Sequence, residues 1–218
     1  MFILVTTKTI AKRPRGRPRA LDRDEALETA LRLFWRRGYE GTSIADLTAA
    51  MGVTPPSLYT VFGSKEQLYR EALDRYGATY GSFAQRALAE EPSAWRAVER
   101  ILREAIEVYA DGPAPAGCML ASGVVACAPE HASVAADVAR RRLATIAAIK
   151  ARFDRAASEG ELAPSTDTQA LASYYAAVVQ GLSIQARDGV SRKILDALAD
   201  VALSAWPGSR ADQPAQSP

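Results

Sequence analysis

The side chains that most often carry covalent or acid–base chemistry are scarce in this sequence. The chain has two cysteines, Cys118 and Cys127, and one histidine, His131. One histidine cannot build a histidine-based metal cluster or a catalytic pair, so we expect no metal, no cofactor and no enzymatic reaction. Cys118 stands at the predicted start of a helix, where backbone N–H groups stabilise a thiolate and favour reaction with oxidants or electrophiles. Burial in the core is the alternative for Cys118.

A second set of side chains is suited to hydrogen bonding. Hydroxyl and aromatic residues are concentrated between residues 42 and 60, and no acidic residue occurs from residue 47 to residue 65. Such a surface can approach base edges without repelling phosphate groups, so it favours contact with DNA. A helical hairpin within a bundle is the alternative interpretation. The residues predicted to contact DNA are Thr42, Thr54, Pro55, Pro56, Ser57, Tyr59 and Thr60, with Lys65 holding a phosphate at a helix start.

Two short helices and a tight turn must position these side chains. Ser43 and Asp46 have the spacing of a capping box, which begins the first helix. Gly52 ends it, because glycine adopts a left-handed conformation at little cost. Pro55 is tolerated in the first turn of the second helix, which Gly63 ends. Helix, glycine turn and short helix form the helix-turn-helix layout, whose second helix fits the major groove of DNA.

The sequence GTSIADLTAAMGVTPPSLYTVFGSKEQLY resembles the DNA-binding domain of the TetR family of bacterial repressors. The motifs are the G-T-S entry, the A-x-x-x-G-V turn, the S-L-Y-x-x-F recognition helix and the F-G-S-K-E-x-L exit, within residues 22–76. The resemblance implies a homodimeric regulator that binds a palindromic operator on double-stranded DNA and is released by a small molecule. Pro55 and Pro56 replace the commoner Lys-Gly or Lys-Pro. The G-C-M-L stretch at Cys118 also resembles a subgroup in which a cysteine senses oxidants or electrophiles.

Composition and periodicity predict an all-α fold of about nine helices, with an N-terminal three-helix helix-turn-helix domain and a C-terminal helical bundle. Apolar residues make up 48% of the chain and charged residues 24%, which is ordinary for a globular protein. Residues 1–76 hold 13 basic and 9 acidic residues, whereas residues 77–218 hold 14 and 16. The positive charge therefore accompanies the helix-turn-helix. We expect a cytoplasmic protein, because there is no disulfide framework, signal peptide or membrane span.

The chain divides into four predicted segments. Residues 1–19 form a disordered basic arm, in which Arg15 and Arg17 enter an A·T-rich minor groove or add only nonspecific attraction to phosphates. Residues 20–76 form the DNA-binding domain and residues 77–206 a ligand-binding and dimerisation domain. Residues 207–218 are expected to form a disordered tail.

The last two long helices carry more apolar surface than one core contact needs, which indicates a symmetric four-helix dimer interface. A thick monomeric core is the alternative. The residues predicted to form this interface are Val178, Val179, Leu182, Leu195, Leu198 and Ala202.

A ligand pocket between the central helices is also expected. The residues predicted to line it are Trp95, Tyr109, Cys118, Met119, Tyr174 and Tyr175. Two other functions remain open from the sequence: a ligand- or redox-sensing protein with vestigial DNA binding, and a nonspecific architectural protein that binds DNA through its arm.

Overall fold

The computed structural model describes residues 22–112, 114–124 and 127–208, and the fold across these ranges is helical. The all-α prediction is confirmed. The basic arm with Arg15 and Arg17, and nearly all of the tail, lie outside the described residues. The helices are α1 (Arg23–Arg37), α2 (Ile44–Met51), α3 (Pro55–Phe62), α4 (Lys65–Ala78), α5 (Phe83–Glu90), α6 (Ala94–Ile106), α7 (Met119–Ser122), α8 (Ala132–Ser158), α9 (Thr168–Arg187) and α10 (Arg192–Ser204). A π-helical turn, Glu107–Asp111, extends α6, and a 3₁₀ turn, Pro129–His131, precedes α8.

Side-chain caps begin three of the four N-terminal helices. The Asp22 carboxylate accepts from two backbone N–H groups at the start of α1. Ser43 and Asp46 form the complete capping box of α2, and Ser64 accepts from the Gln67 N–H at the start of α4. These caps satisfy N–H groups that no helical carbonyl can reach, which fixes where each helix begins.

The first hydrophobic core joins the N-terminal helices to part of the C-terminal domain. Edge-to-face aromatic pairs link α1 to α4, with centroid distances of 4.9 Å both for Phe34 with Tyr69 and for Trp35 with Tyr76. Met119, Val124, Val134 and Val138 are buried in the same cluster. The N-terminal helices are therefore packed directly against α7 and α8.

The second core lies inside the C-terminal bundle of α5, α6, α8, α9 and α10. Its aromatic centre contains Trp95, Phe153, Tyr175 and Trp206, whose neighbouring rings lie 5.5–6.5 Å apart. The Tyr175 hydroxyl donates to the carbonyl of Ala202 over 3.2 Å, which ties α9 to α10. Among the described residues, no helix has the length and apolar character of a membrane span.

The ends of α4 and α7 determine where the following loops lie. The helix beginning at Lys65 ends at Ala78, and the chain turns before α5 begins. The helix after Cys118 ends at Ser122. Gly123 then lies against Tyr69, where a Cβ atom would be 2.6 Å from the hydroxyl oxygen. Its carbonyl also accepts from the Tyr39 N–H over 3.2 Å, so this loop follows the surface of the N-terminal domain.

Candidate nucleic-acid interface and ligand cavity

The outer side of α3 is an exposed surface of hydroxyl groups, one aromatic ring and two prolines. Leu58 and Phe62 hold the helix against the core from the opposite side. The Tyr59 side chain is free to reach outward, since the residue is 45% exposed. The other exposed residues of this surface are Thr54, Pro55, Pro56, Ser57 and Thr60. One whole side of this short helix is therefore exposed, and the helix is narrow enough to enter the major groove of DNA.

The expectation that the Thr42 side chain faces DNA needs correction. Thr42 is fully buried, and its hydroxyl donates to the carbonyl of Gly38 over 2.8 Å. The hydroxyl therefore satisfies a carbonyl at the end of α1 and braces the turn before α2. The sequence suggested otherwise because a threonine next to a helix cap is usually exposed.

Lys65 lies at the first position of α4, beside Tyr39. Its Nζ is 4.1 Å from the centroid of the Tyr39 ring, which is cation–π geometry. Burial lowers the pKa of Lys65, and the Glu40 carboxylate opposes that change. The ammonium group is thus held at a helix N-terminus, where free N–H groups already favour an anion.

The one histidine of the sequence connects the two domains close to this lysine. His131 Nδ1 lies 2.8 Å from Glu40 Oε1, and its ring meets Tyr39 edge-to-face. Glu40 also accepts from the Ala128 N–H over 3.1 Å. These contacts connect the two domains. The described residues contain no group of three or more His, Cys, Asp or Glu suited to a metal ion.

A cavity of about 270 Å³ lies between α4 and the C-terminal helices. Tyr76 and Leu73 of α4 form one wall, so the cavity touches the N-terminal helices directly. The remaining walls come from α5, α6, α7, α8 and α9, and include Tyr109, Ile149 and Val179. The lining is mainly apolar with a few polar groups, which is the usual make-up of a small-molecule site.

Both arginines at the cavity already have partners inside the protein. Arg141 pairs with Asp74 at 2.7 Å and with Asp137 at 3.1 Å. Arg142 donates to the carbonyls of Leu120 and Val124. The Arg141 charge is balanced by carboxylates, whereas Arg142 is bonded to neutral carbonyls and keeps its positive charge at the cavity wall.

Only part of the predicted ligand set lines this cavity. Tyr109 and Cys118 do. Trp95 packs against Trp206 in the bundle core, and Met119 is buried in the first core. Tyr174 is turned outward on α9, whereas Tyr175 is buried against α10. These four residues were chosen for aromatic or sulfur character, but periodicity cannot tell which side of a buried helix borders a void.

Cys118 lies at the meeting point of the cavity and both domains. It caps α7, which has only four residues, so the expected stabilisation of its thiolate by a helix dipole is weak. The Tyr76 hydroxyl instead donates to the Cys118 sulfur over 3.2 Å. The Cys118 N–H donates to Ser183 of α9 over 2.7 Å. Burial raises the pKa values of Tyr76 and Tyr109, which keeps both phenols protonated beside the thiol.

The predicted dimer residues fall into two groups. Leu182, Leu195 and Ala202 are buried within the chain's own core, so their assignment to an interface is wrong. Val178, Val179 and Leu198 are partly buried, and Val179 also borders the cavity. The outward apolar side chains of α9 and α10 are Tyr174, Ile184, Ile194 and Val201.

Arg187 is a residue that the sequence did not single out. From the last turn of α9 it reaches across to the end of α1, where it donates to the carbonyls of Trp35 and Arg36. The Trp35 indole in turn donates to the carbonyl of Gly117 over 2.9 Å. A basic residue in a last helical turn is a common pattern, and no local signal indicates a partner 152 residues away.

Comparison with known proteins places these features in a family context. Residues 26–72 match the family model described as bacterial regulatory proteins, tetR family, and residues 94–200 match the model described as tetracyclin repressor-like, C-terminal domain. The HTH-type transcriptional repressor ComR of Escherichia coli (strain K12) is 34% identical over 197 residues, which cover 90% of this chain and 94% of ComR. The HTH-type transcriptional repressor BdcR of the same organism is 29% identical and covers 91% of this chain and 95% of BdcR.

Solved structures give the same result. A cysteine mutant of the TetR family transcriptional regulator CifR, complexed with 26bp double-strand operator DNA, is 43% identical with a TM-score of 0.84. The match covers 88% of this chain and 100% of that chain. A putative TetR transcriptional regulator from Rhodococcus sp. RHA1 is 39% identical with a TM-score of 0.59, and covers 85% of this chain and 99% of its own.

Proposed function

This chain belongs to the TetR family of bacterial transcriptional regulators, and we propose that it is a homodimeric repressor of a palindromic operator. The observation that carries the proposal is the exposed, acid-free side of α3, held next to the Lys65 ammonium group. The operator complex of CifR supports it, and the comparisons do not favour a vestigial helix-turn-helix. The proposed activity is binding without catalysis, in the cytoplasm where the operator lies.

In this proposal α3 lies in the major groove. Ser57, Tyr59 and Thr60 face base edges, and Thr54 with the two prolines forms the leading end of the helix. Lys65 binds a phosphate at the groove edge and fixes the register of α3. Because one α3 reads one half-site, the dimer fixes the spacing between the two half-sites.

The dimer surface consists of the outward apolar residues of α9 and α10. Ile194 and Val201 are 56% and 69% exposed, and Tyr174 and Ile184 are 40% and 43% exposed. Four large apolar side chains on two adjacent helices are a costly surface to leave in water. Two copies of this pair of helices would bury it as a four-helix interface with two-fold symmetry.

The effector in this proposal is a small molecule bound in the cavity. The walls of the cavity include α4, which is the last helix of the DNA-binding domain, and α9, which contributes to the proposed dimer surface. A ligand that prefers one spacing of the two domains would shift the population away from the DNA-binding state. The polar groups available to orient the ligand are the Tyr109 hydroxyl, Thr145 and Gln180.

An electrophile is the second effector chemistry that the cavity supports, through Cys118. With an α,β-unsaturated carbonyl, the sulfur would form a bond to the β-carbon while the thiol proton is transferred to the α-carbon, so nothing leaves. The Tyr76 hydroxyl, which donates to the sulfur, stabilises the thiolate that attacks. Addition would displace this contact between α4 and α7, and thereby disturb the support of the DNA-binding domain.

Two single substitutions test the DNA-binding assignment. We expect Tyr59→Ala and Lys65→Ala each to weaken binding to a selected operator by at least ~1 kcal/mol, about fivefold. Lys150→Ala is the charge-matched control, because Lys150 lies on α8 and pairs with Asp154 at 2.6 Å. Fluorescence anisotropy with a labelled duplex measures the affinities. Unchanged operator binding by both Tyr59→Ala and Lys65→Ala would overturn the DNA-binding assignment.

Deleting residues 1–19 tests the role of the basic arm. We expect weaker binding at low salt, because six basic residues are lost, while the preference for the operator over random duplex remains. A nonspecific architectural protein would lose all binding on the same deletion. Titrations at two salt concentrations distinguish these outcomes.

A further inference from the structure

The exposed side of α3 contains no charged side chain and no side-chain amide. Its sequence is PPSLYTVF. Helices in the major groove commonly read guanine through arginine or lysine and adenine through asparagine or glutamine, each with paired hydrogen bonds. Neither type of contact is available to α3, so its base recognition must use hydroxyl groups and apolar surface.

Two of the four hydroxyl hydrogens on this surface, which belong to Thr54, Ser57, Tyr59 and Thr60, are committed inside the protein. Thr60 Oγ1 donates to the carbonyl of Pro56 over 2.8 Å. Thr54 Oγ1 and Ser57 Oγ lie 3.0 Å apart, so one of these two hydroxyls donates to the other. The two oxygens that give their hydrogens in these bonds keep lone pairs, and toward a base they can therefore act only as acceptors. In the major groove the base groups that donate are the exocyclic amines of adenine and cytosine.

Pro55 and Pro56 place two rigid apolar rings on the leading end of the helix. Both are exposed and occupy its first two positions. Proline has no N–H, so these positions cannot bind a phosphate through the backbone as helix N-termini often do. The apolar group that a base edge presents in the major groove is the C5-methyl of thymine.

We propose that α3 reads A·T pairs, with Pro55 and Pro56 packed against thymine methyl groups and hydroxyl oxygens accepting from adenine amines. An A·T pair presents an amine and a methyl group together in the major groove, whereas a G·C pair presents the cytosine amine without a methyl group. This inference rests on the proposed operator binding and goes beyond it by naming the base pairs and the residues that select them.

Deoxyuridine substitution in the DNA provides the test. An operator is first selected from a random duplex pool with the full-length protein, and each thymine of a half-site is then replaced by deoxyuridine. This change removes one major-groove methyl and leaves base pairing and the minor groove intact. Loss of one buried methyl should weaken binding about fourfold at each contacted thymine, and about fifteenfold when both symmetric positions are changed.

A variant with Pro55→Ala and Pro56→Ala assigns the contact to the prolines. Alanine is compatible with a first helical turn, so α3 should be retained, and circular dichroism checks this. The variant should bind the thymine and deoxyuridine operators with equal affinity at the contacted positions. Pro207→Ala, a substitution of an exposed proline after α10, should keep the fourfold difference.

Three results would overturn the inference while leaving operator binding intact. The first is a selected half-site without an A·T pair at the contacted positions. The second is a deoxyuridine operator that binds as tightly as the thymine operator. The third is a double proline variant that still distinguishes these two operators. Failure of the selection to yield any sequence preferred over random duplex would instead overturn the proposed function itself.

Discussion

Arg187 Nη1 donates to the carbonyl oxygen of Trp35 over 2.9 Å, so the end of α9 is tied to the end of α1. The Arg36 carbonyl accepts from Nη2 of the same side chain, also over 2.9 Å. The last carbonyls of a helix have no partner within the helix and lie at the negative end of its dipole, so a guanidinium is well suited to them. This contact links the proposed dimer surface to the DNA-binding domain.

Replacing this arginine should loosen the contact between the domains. We expect Arg187→Met, which keeps the apolar stem, to lower the free energy of unfolding by about 1–2 kcal/mol through loss of two charge-assisted hydrogen bonds. Arg155→Met is the control, since Arg155 forms a surface pair with Glu159 at 3.7 Å. Chemical denaturation measures both variants. Equal effects of the two substitutions would contradict a special role for Arg187.

The capping box of α2 predicts a specific dependence of stability on pH. Hydrogen bonding from the Ser43 side chain, followed by its backbone N–H and Arg37, lowers the pKa of Asp46 from 3.8 to about 2. A lowered pKa in the folded state means that the carboxylate stabilises the fold above pH 3.8 and loses this effect as the pH falls to about 2. The stability difference between wild type and Asp46→Asn should therefore be constant near neutral pH and shrink in this range. Denaturant titrations across pH measure it, and a difference that does not change with pH would contradict the assignment.

The proposed dimer surface can be tested with two similarly exposed aliphatic residues, Val201 and Leu143. Val201→Asp places a charge on the outward side of α10, and we expect it to convert the dimer to monomers at micromolar concentration, because an unpaired charge in an apolar interface is costly. Leu143→Asp is the control, since Leu143 is 64% exposed on α8, outside the proposed surface. Sedimentation velocity measures the oligomeric state. If Leu143→Asp dissociated the dimer and Val201→Asp did not, the interface would lie elsewhere.

The two cysteines provide a matched pair for the electrophile hypothesis. With N-ethylmaleimide, we expect Cys118 to be alkylated and operator binding to be lost, because Cys118 borders the cavity and accepts a hydrogen bond from Tyr76. Cys118→Ser should then keep operator binding after the same treatment, whereas Cys127→Ser should still lose it. Peptide mass spectrometry locates the adduct, and anisotropy measures binding. Loss of binding that depends on Cys127 would contradict the hypothesis.

Local signals in the sequence were sufficient to predict the N-terminal helices. Caps such as Asp22 and Ser43, and the left-handed glycine Gly52, act within a few residues, so spacing alone identifies them. Thr42 was assigned to the wrong side although its partner, the carbonyl of Gly38, is only four residues away, because spacing alone does not show how the turn folds back on the end of α1.

The C-terminal domain was less predictable, because its helices are apolar on more than one side. Leu182 and Leu195 were predicted to meet a partner subunit, but both face the chain's own core, while Ile194 and Val201 are the outward residues. Periodicity identifies an apolar stripe without saying which neighbour covers it. The cavity depends on contacts between distant segments, such as Tyr76 with Cys118, for which the sequence contains no local signal.

A competition experiment tests whether α3 reads DNA sequence in a dimer. A labelled selected operator is bound by the full-length protein at physiological salt and displaced with unlabelled operator or unlabelled random duplex. We expect the operator to compete at least about a thousandfold better than random duplex, and Tyr59→Ala to reduce this ratio greatly. Equal competition by the two duplexes would contradict this expectation.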